Sequence, residues 1–194
     1  MRDGAAVIFL RDGYAGASVD DITRAAGVSK ATLYSYFPDK SLMFSAAIRA
    51  EIDNAFRKSP FDKCRNGHPA DILPKVLTEL ADWAAAKPRL RLLRIITAEG
   101  VRFPQAAAAY QAAIGDRIIN PLETQIKTWI DRGQINIHDS DHSARQLVAM
   151  VTGRVQQHAM LTGSEFTKEQ LSTFAQAAAD LFLCGHAVTD EQAV

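Results

Sequence analysis

The chain has 194 residues, 47% hydrophobic and 23% charged, a balance close to that of ordinary globular proteins and far from disordered or fibrous ones. Its 22 basic and 22 acidic side chains cancel, which excludes a strongly basic nucleic-acid binder and leaves any DNA contact to local placement of charge. Two distant cysteines, Cys64 and Cys184, exclude a disulfide framework or zinc ribbon and fit a reducing, cytoplasmic setting.

Abundant alanine and apolar residues recurring at three- and four-residue steps predict an all-α protein. Gly13, Gly27, Pro38, Ser59-Pro60, Asn66-Gly67-His68-Pro69, Pro88, Pro104 and Gly133 divide it into blocks. Helices are expected over 3–12, 20–26, 30–36, 39–58, 70–86, 88–101, 105–132, 141–162 and 167–186. The first three are short and the rest long, the pattern of a small N-terminal module on a larger helical body.

The opening run Ala5-Ala6-Val7-Ile8-Phe9-Leu10, followed by Ala15-Gly16-Ala17, mimics a secretion signal. Its apolar core is shorter than the usual ~7–15 residues, and Arg11-Asp12 interrupts it. It reads instead as the buried face of a helix. No run approaches the ~18 apolar residues needed to cross a bilayer, so no membrane association is expected.

Residues 18–40 are the informative stretch. Ser18 and Asp21 form a capping pair for a short helix on which Ile22 and Ala26 share a face. Ala25 and Ala26 are small enough for another helix to cross closely. Gly27 supplies a turn, Val28 fills the angle, and Ser29 caps a second short helix with Leu33 and Phe37 facing inward. This is the pattern of a helix-turn-helix, whose second helix enters the major groove. On that helix Lys30 sits at the leading end, Ala31 is small enough to meet a thymine methyl, and Thr32 can bond a base or a phosphate. Tyr34 and Tyr36 offer hydroxyls at phosphate distance, and Lys40 in the next helix offers another cation.

Phe9, Gly13-Tyr14, Ser18-Val19, Ile22, Ala26-Gly27-Val28-Ser29, Thr32-Leu33-Tyr34, Tyr36-Phe37, Lys40 and Leu42 together resemble the N-terminal signature of TetR-family transcriptional regulators. The stretch from Arg94 to Pro104, leading to Ala109-Tyr110, resembles the subgroup with an AefR-like C-terminal domain. The resemblance implies a three-helix helix-turn-helix DNA-binding domain over 1–46 and a helical effector-binding and dimerisation domain over 47–194. It implies a ligand-responsive repressor that binds an inverted-repeat operator in double-stranded DNA as a homodimer, with Ser18, Ser29, Lys30, Ala31, Thr32, Tyr34, Tyr36 and Lys40 at the DNA. The alternative is a helical small-molecule sensor without operator binding.

Two features depart from the family pattern. Met1 falls inside what should be the first helix, so either Met1 is not the natural start or that helix is unusually short. Residues 1–45 also carry five basic side chains (Arg2, Arg11, Arg24, Lys30, Lys40) against five acidic ones (Asp3, Asp12, Asp20, Asp21, Asp39), a thin electrostatic footprint for DNA.

In the body, the resemblance places the last two long helices in a dimer interface, with Leu147, Met150, Val151, Val155, Phe174, Ala178, Leu181 and Phe182 as its apolar area. Packing within one chain is the other reading of these residues. Trp83, Phe103, Tyr110, Gln125, Trp129 and His158 are the candidate wall of a pocket for a small apolar or aromatic effector, with ordinary core as the competing reading. Asn120-Pro121 either starts a new helix or kinks an existing one. His138-Asp-Ser-Asp-His142 has metal-ligand chemistry, but an N-cap for the next helix explains it better, and no metal or other cofactor is expected. Cys184, among Leu181, Phe182 and Leu183, is expected in the core. No phosphate-binding loop, nucleophile elbow or zinc-protease motif is present, so no enzymatic activity is expected.

Overall fold

A computed structural model describes residues 2–61 and 67–188 of the chain, which leaves Met1 and Cys64 outside the described residues. Ten α-helices and one π-helical turn appear there, without strands. They are α1 (Arg2–Gly16), α2 (Val19–Ala26), α3 (Lys30–Tyr36), α4 (Lys40–Ala55), α5 (Pro69–Ala85), α6 (Lys87–Glu99), α7 (Pro104–Ile114), α8 (Asn120–Asp131), α9 (Ser140–Thr162) and α10 (Lys168–His186), with the π-helical turn at Gly115–Ile119. The all-α expectation holds. Among the described residues no helix is long and apolar enough to cross a membrane.

Side-chain caps set most helix starts, as local chemistry dictates. Asp39 accepts the Leu42 N–H ahead of α4, and Asp139 accepts the His142 N–H ahead of α9. Thr167 and Gln170 close a reciprocal capping box at α10.

The chain forms two compact units, one running to Arg57 and resuming over Arg91–Ala113, the other covering Lys58–Leu90 and the residues from Ile114 onward. In the first, α1 packs on α2 and α4 around Phe9, Ile22, Leu33, Met43 and Phe44, all at most 1% exposed. A Cβ on Gly4 would stand 2.7 Å from the Ala26 backbone, so α1 crosses α2 at contact distance beside Ala25 and Ala26. The small residues expected to permit a close crossing do so. Ala5, Ala6, Ile8 and Phe9 are buried as expected, but Val7 points to solvent.

In the second unit α5 packs against α9 and α10, and α8 against α9. Leu73, Leu77, Leu80, Leu122, Ile126 and Trp129 are fully buried there. Each such side chain contributes about 1.5–3 kcal/mol of burial.

α8 starts at Asn120-Pro121, as one reading of the sequence had it, but directly out of the π-helical turn and without a side-chain cap. Asn120 has helical torsions (φ −60°, ψ −40°), and its N–H bonds Gly115 O, five residues back, closing the π-helical turn. Pro121 has no N–H to offer Arg117 O, the carbonyl four residues before it. The Ser59 hydroxyl donates to that carbonyl instead. A wider turn plus an outside donor lets the helix run through proline.

Candidate nucleic-acid interface

The helix-turn-helix follows from three local devices. Ser18 accepts the Asp21 N–H at 3.0 Å and donates to the Asp21 carboxylate at 2.7 Å, fixing the start of α2. Gly27 ends it in the left-handed region (φ 66°, ψ 33°), while the Val28 N–H returns to Thr23 O at 3.1 Å. Only glycine takes that conformation without strain, and the paired bonds turn the chain sharply. Ser29 then accepts the Thr32 N–H at 3.0 Å and starts α3. Leu33 is fully buried and Phe37 half-buried, so one face of α3 is held inward.

The opposite face is open. Lys30, Ala31, Thr32, Tyr34 and Tyr36 are all exposed, the tyrosines at 45% and 66%. These five candidate DNA residues are therefore all accessible. Ser18 and Ser29 are exposed too, with their hydroxyls engaged in the caps; the Ser29 hydroxyl also meets the Thr32 hydroxyl at 2.9 Å.

The electrostatics of this surface are self-contained. Arg11 chelates Asp12 through two bonds of 2.7 Å, Arg24 meets Asp21 at 2.7 Å, and Lys30 meets Asp20 at 2.6 Å. Bonds from Arg11 hold the Asp12 carboxyl below its usual range, and the Ser18 hydroxyl does the same for Asp21. Hydrogen bonding to Asp20 pushes the Lys30 ammonium upward. Lys40 has no carboxylate partner among these contacts; its Nζ lies 3.5 Å from Ala15 O and 4.8 Å above the Tyr14 ring.

Tyr14 is a hub that sequence reasoning did not find. Its ring packs 5.3 Å from Phe44 and 4.9 Å from Phe103, while the Arg102 guanidinium lies 4.1 Å from its centre. Its backbone N–H donates to the Glu99 carboxylate. Glu99 at the end of α6, with Arg102 and Phe103 just after it, thus binds to α1 and α4 within one unit. Nothing local in the sequence pairs Glu99 or Arg102 with Tyr14, since the positions lie so far apart.

In the first unit, Phe103 joins the Tyr14 cluster and also lines a crevice of about 180 Å³ with Ser45, Arg49 and Ile52, while Tyr110 is buried 5.5 Å from Phe56. In the second unit, Trp83 lies under the Arg89 guanidinium, and His158 is 4.6 Å from Phe166. Gln125 is half-buried. Trp129 is fully enclosed and donates its indole N–H to Gly67 O at 3.2 Å.

Of the interface candidates, Leu147, Val151, Val155, Ala178 and Phe182 are buried within the single chain. Met150 and Leu181 are exposed and Phe174 half-exposed. Met150 and Leu181 border a groove of about 440 Å³ between α9 and α10. Cys184 is exposed, contrary to the core position expected for it, because α10 turns that side away from α5 and α9. Asp139 takes the N-cap role in the His138–His142 loop, and no group of three or more His, Cys, Asp or Glu side chains converges as a metal site among the described residues.

Residues 2–47 match the profile of bacterial regulatory proteins of the tetR family, and residues 71–188 match that of the AefR-like transcriptional repressor C-terminal domain. An HTH-type transcriptional repressor of Streptomyces coelicolor is 29% identical over 110 residues, covering 57% of this chain and 53% of that protein. The regulator AcrR of Shigella flexneri is 28% identical over 114 residues, 58% of this chain and 53% of its own length. The matches thus span about half of these curated relatives. A TetR-family regulator from Mesorhizobium loti superposes over 96% of this chain and 95% of its own, with a TM-score of 0.83 and 25% identity. The flavonoid-responsive regulator FrrA does so over 96% and 94%, with a TM-score of 0.70 and 28% identity.

Proposed function

The chain belongs to the tetR family of bacterial regulatory proteins, and from that premise we propose that it is a ligand-responsive transcriptional repressor that binds an inverted-repeat operator as a homodimer. The observation that carries the reading is α3: a capped helix, anchored by Leu33, with Lys30, Ala31, Thr32, Tyr34 and Tyr36 all exposed. Residues 1–46 are the DNA-binding domain in this proposal, and 47–194 the effector-binding and dimerisation domain. Lys30 reads base edges at the groove; Tyr34, Tyr36 and Lys40 hold phosphates.

The exposed apolar residues Met150, Leu161 and Leu181 on α9 and α10 support the homodimer, because such a face gains most when a second copy covers it. Two recognition helices then meet successive major grooves roughly 34–36 Å apart. The effector is an apolar or aromatic small molecule, a class in keeping with a flavonoid-responsive relative of similar fold. It acts by favouring a dimer whose two helices no longer fit adjacent grooves.

Fluorescence anisotropy with operator and random duplexes tests the assignment of α3. Lys30→Ala should lose about tenfold in specific affinity and relax preference at one position of each half-site. Tyr34→Phe should weaken all sequences alike, as a lost phosphate contact does. Parental binding by both variants would overturn the assignment.

A further inference from the structure

Lys30, Arg11 and Arg24 each contact an acidic neighbour, and among these pairs only Lys30 stands at the leading end of the recognition helix. Its partner Asp20 lies in the first turn of α2, ten residues earlier, with both side chains more than half exposed and 2.6 Å apart. Pairs this exposed contribute little to folding. Their effect falls on what approaches from outside.

We infer that Asp20 is a specificity-determining residue for DNA, acting through Lys30; this rests on the DNA-binding reading above. The ammonium has three N–H donors, and Asp20 takes one. The lysine is thereby held in one orientation, with two donors left for acceptors such as guanine O6 and N7 in the groove. Against random DNA the same carboxylate cancels the charge of Lys30 and repels the phosphates. Non-specific binding rises with the number of phosphates neutralised, and Asp20 lowers that number. Correct base acceptors gain an aimed lysine; incorrect sequence gains almost nothing. Discrimination here comes from suppressing the wrong complexes as well as favouring the right one.

The test uses the full chain, DNA it selects from a random pool, and a scrambled duplex of equal length. Asp20→Asn should raise affinity for the scrambled duplex about fivefold and steepen its log K against log salt slope by ~0.9, the increment of one added phosphate contact. The ratio of specific to non-specific affinity should fall about tenfold, with the base preference opposite Lys30 blurred. Asp20→Glu should keep most of the ratio. A residue acting only on the stability of α2 would lower the melting temperature and shift both affinities in parallel, leaving ratio and slope intact; that result overturns the inference. Failure of the parent to select any motif would instead overturn the DNA-binding reading itself.

Discussion

Glu99 accepts the backbone N–H of Tyr14 at 3.3 Å, across 85 residues of chain. The torsions of Gly13 (φ 73°, ψ 179°) explain why an outside acceptor stands there: they interrupt α1 just ahead of Tyr14. That backbone geometry is essentially confined to glycine. A bend that only glycine makes is thus tied to a carboxylate at the end of α6.

Glu99→Ala should therefore destabilise the protein by about 1–2 kcal/mol, the range for a hydrogen bond to a charged group less what water recovers at a half-buried site. Glu99→Gln keeps an acceptor oxygen and should recover about half of the loss. Urea unfolding with an unchanged slope is the measurement. A loss near zero for the alanine variant would show that the aromatic packing of Tyr14 on Phe44 and Phe103 holds the bend alone.

Much of the fold was legible in the sequence, because Gly and Pro punctuate it and apolar residues repeat at helical spacing. Expected and observed helices differ mainly at their ends. α1 runs beyond residue 12 because the break at Gly13 is followed by another turn to Gly16, which composition does not distinguish from a stop. The helix-turn-helix was legible for a different reason: its caps, turn and open face lie within one short stretch. The burial of the interface candidates was only half legible. α9 carries two apolar stripes, and periodicity alone does not say that Leu147, Val151 and Val155 face their own chain while Met150 and Leu161 face out. The Tyr14 hub was illegible because its partners meet only once the chain is folded.

The donor at Arg117 O gives a second prediction. Ser59→Ala removes the hydroxyl that donates to Arg117 O, the carbonyl that the Pro121 nitrogen cannot serve, and should cost about 1 kcal/mol. Pro121→Ala restores a backbone N–H within reach of that carbonyl. In its background Ser59→Ala should cost clearly less, and a double-mutant cycle by urea unfolding reads the difference. Additive effects would contradict the link between the hydroxyl and the proline.

The histidine pair near the end of α10 predicts a pH effect. His186 stacks 3.7 Å from His138 and packs against Phe182. Burial, with repulsion from His138 second, lowers its proton affinity below the usual histidine value of about 6.5. The unfolded chain then takes up the proton first. Stability should be full above about pH 6.5 and fall as acidity carries the chain through the folded value. His186→Phe keeps the stacking and removes the titration, so unfolding midpoints compared at pH 7.5 and 5.5 should differ less than in the parent. An equal drop in both proteins would assign the effect to another group.

The central claim is that α3 reads an inverted repeat in a dimer. Sequencing the DNA that the purified protein selects from a random pool addresses it most directly. A palindromic motif is expected, its half-sites about one helical turn (~10 bp) or a multiple of it apart, bound by two chains and lost when Lys30 and Tyr34 are replaced together. Enrichment of no motif, or of one half-site bound by a single chain, would contradict it.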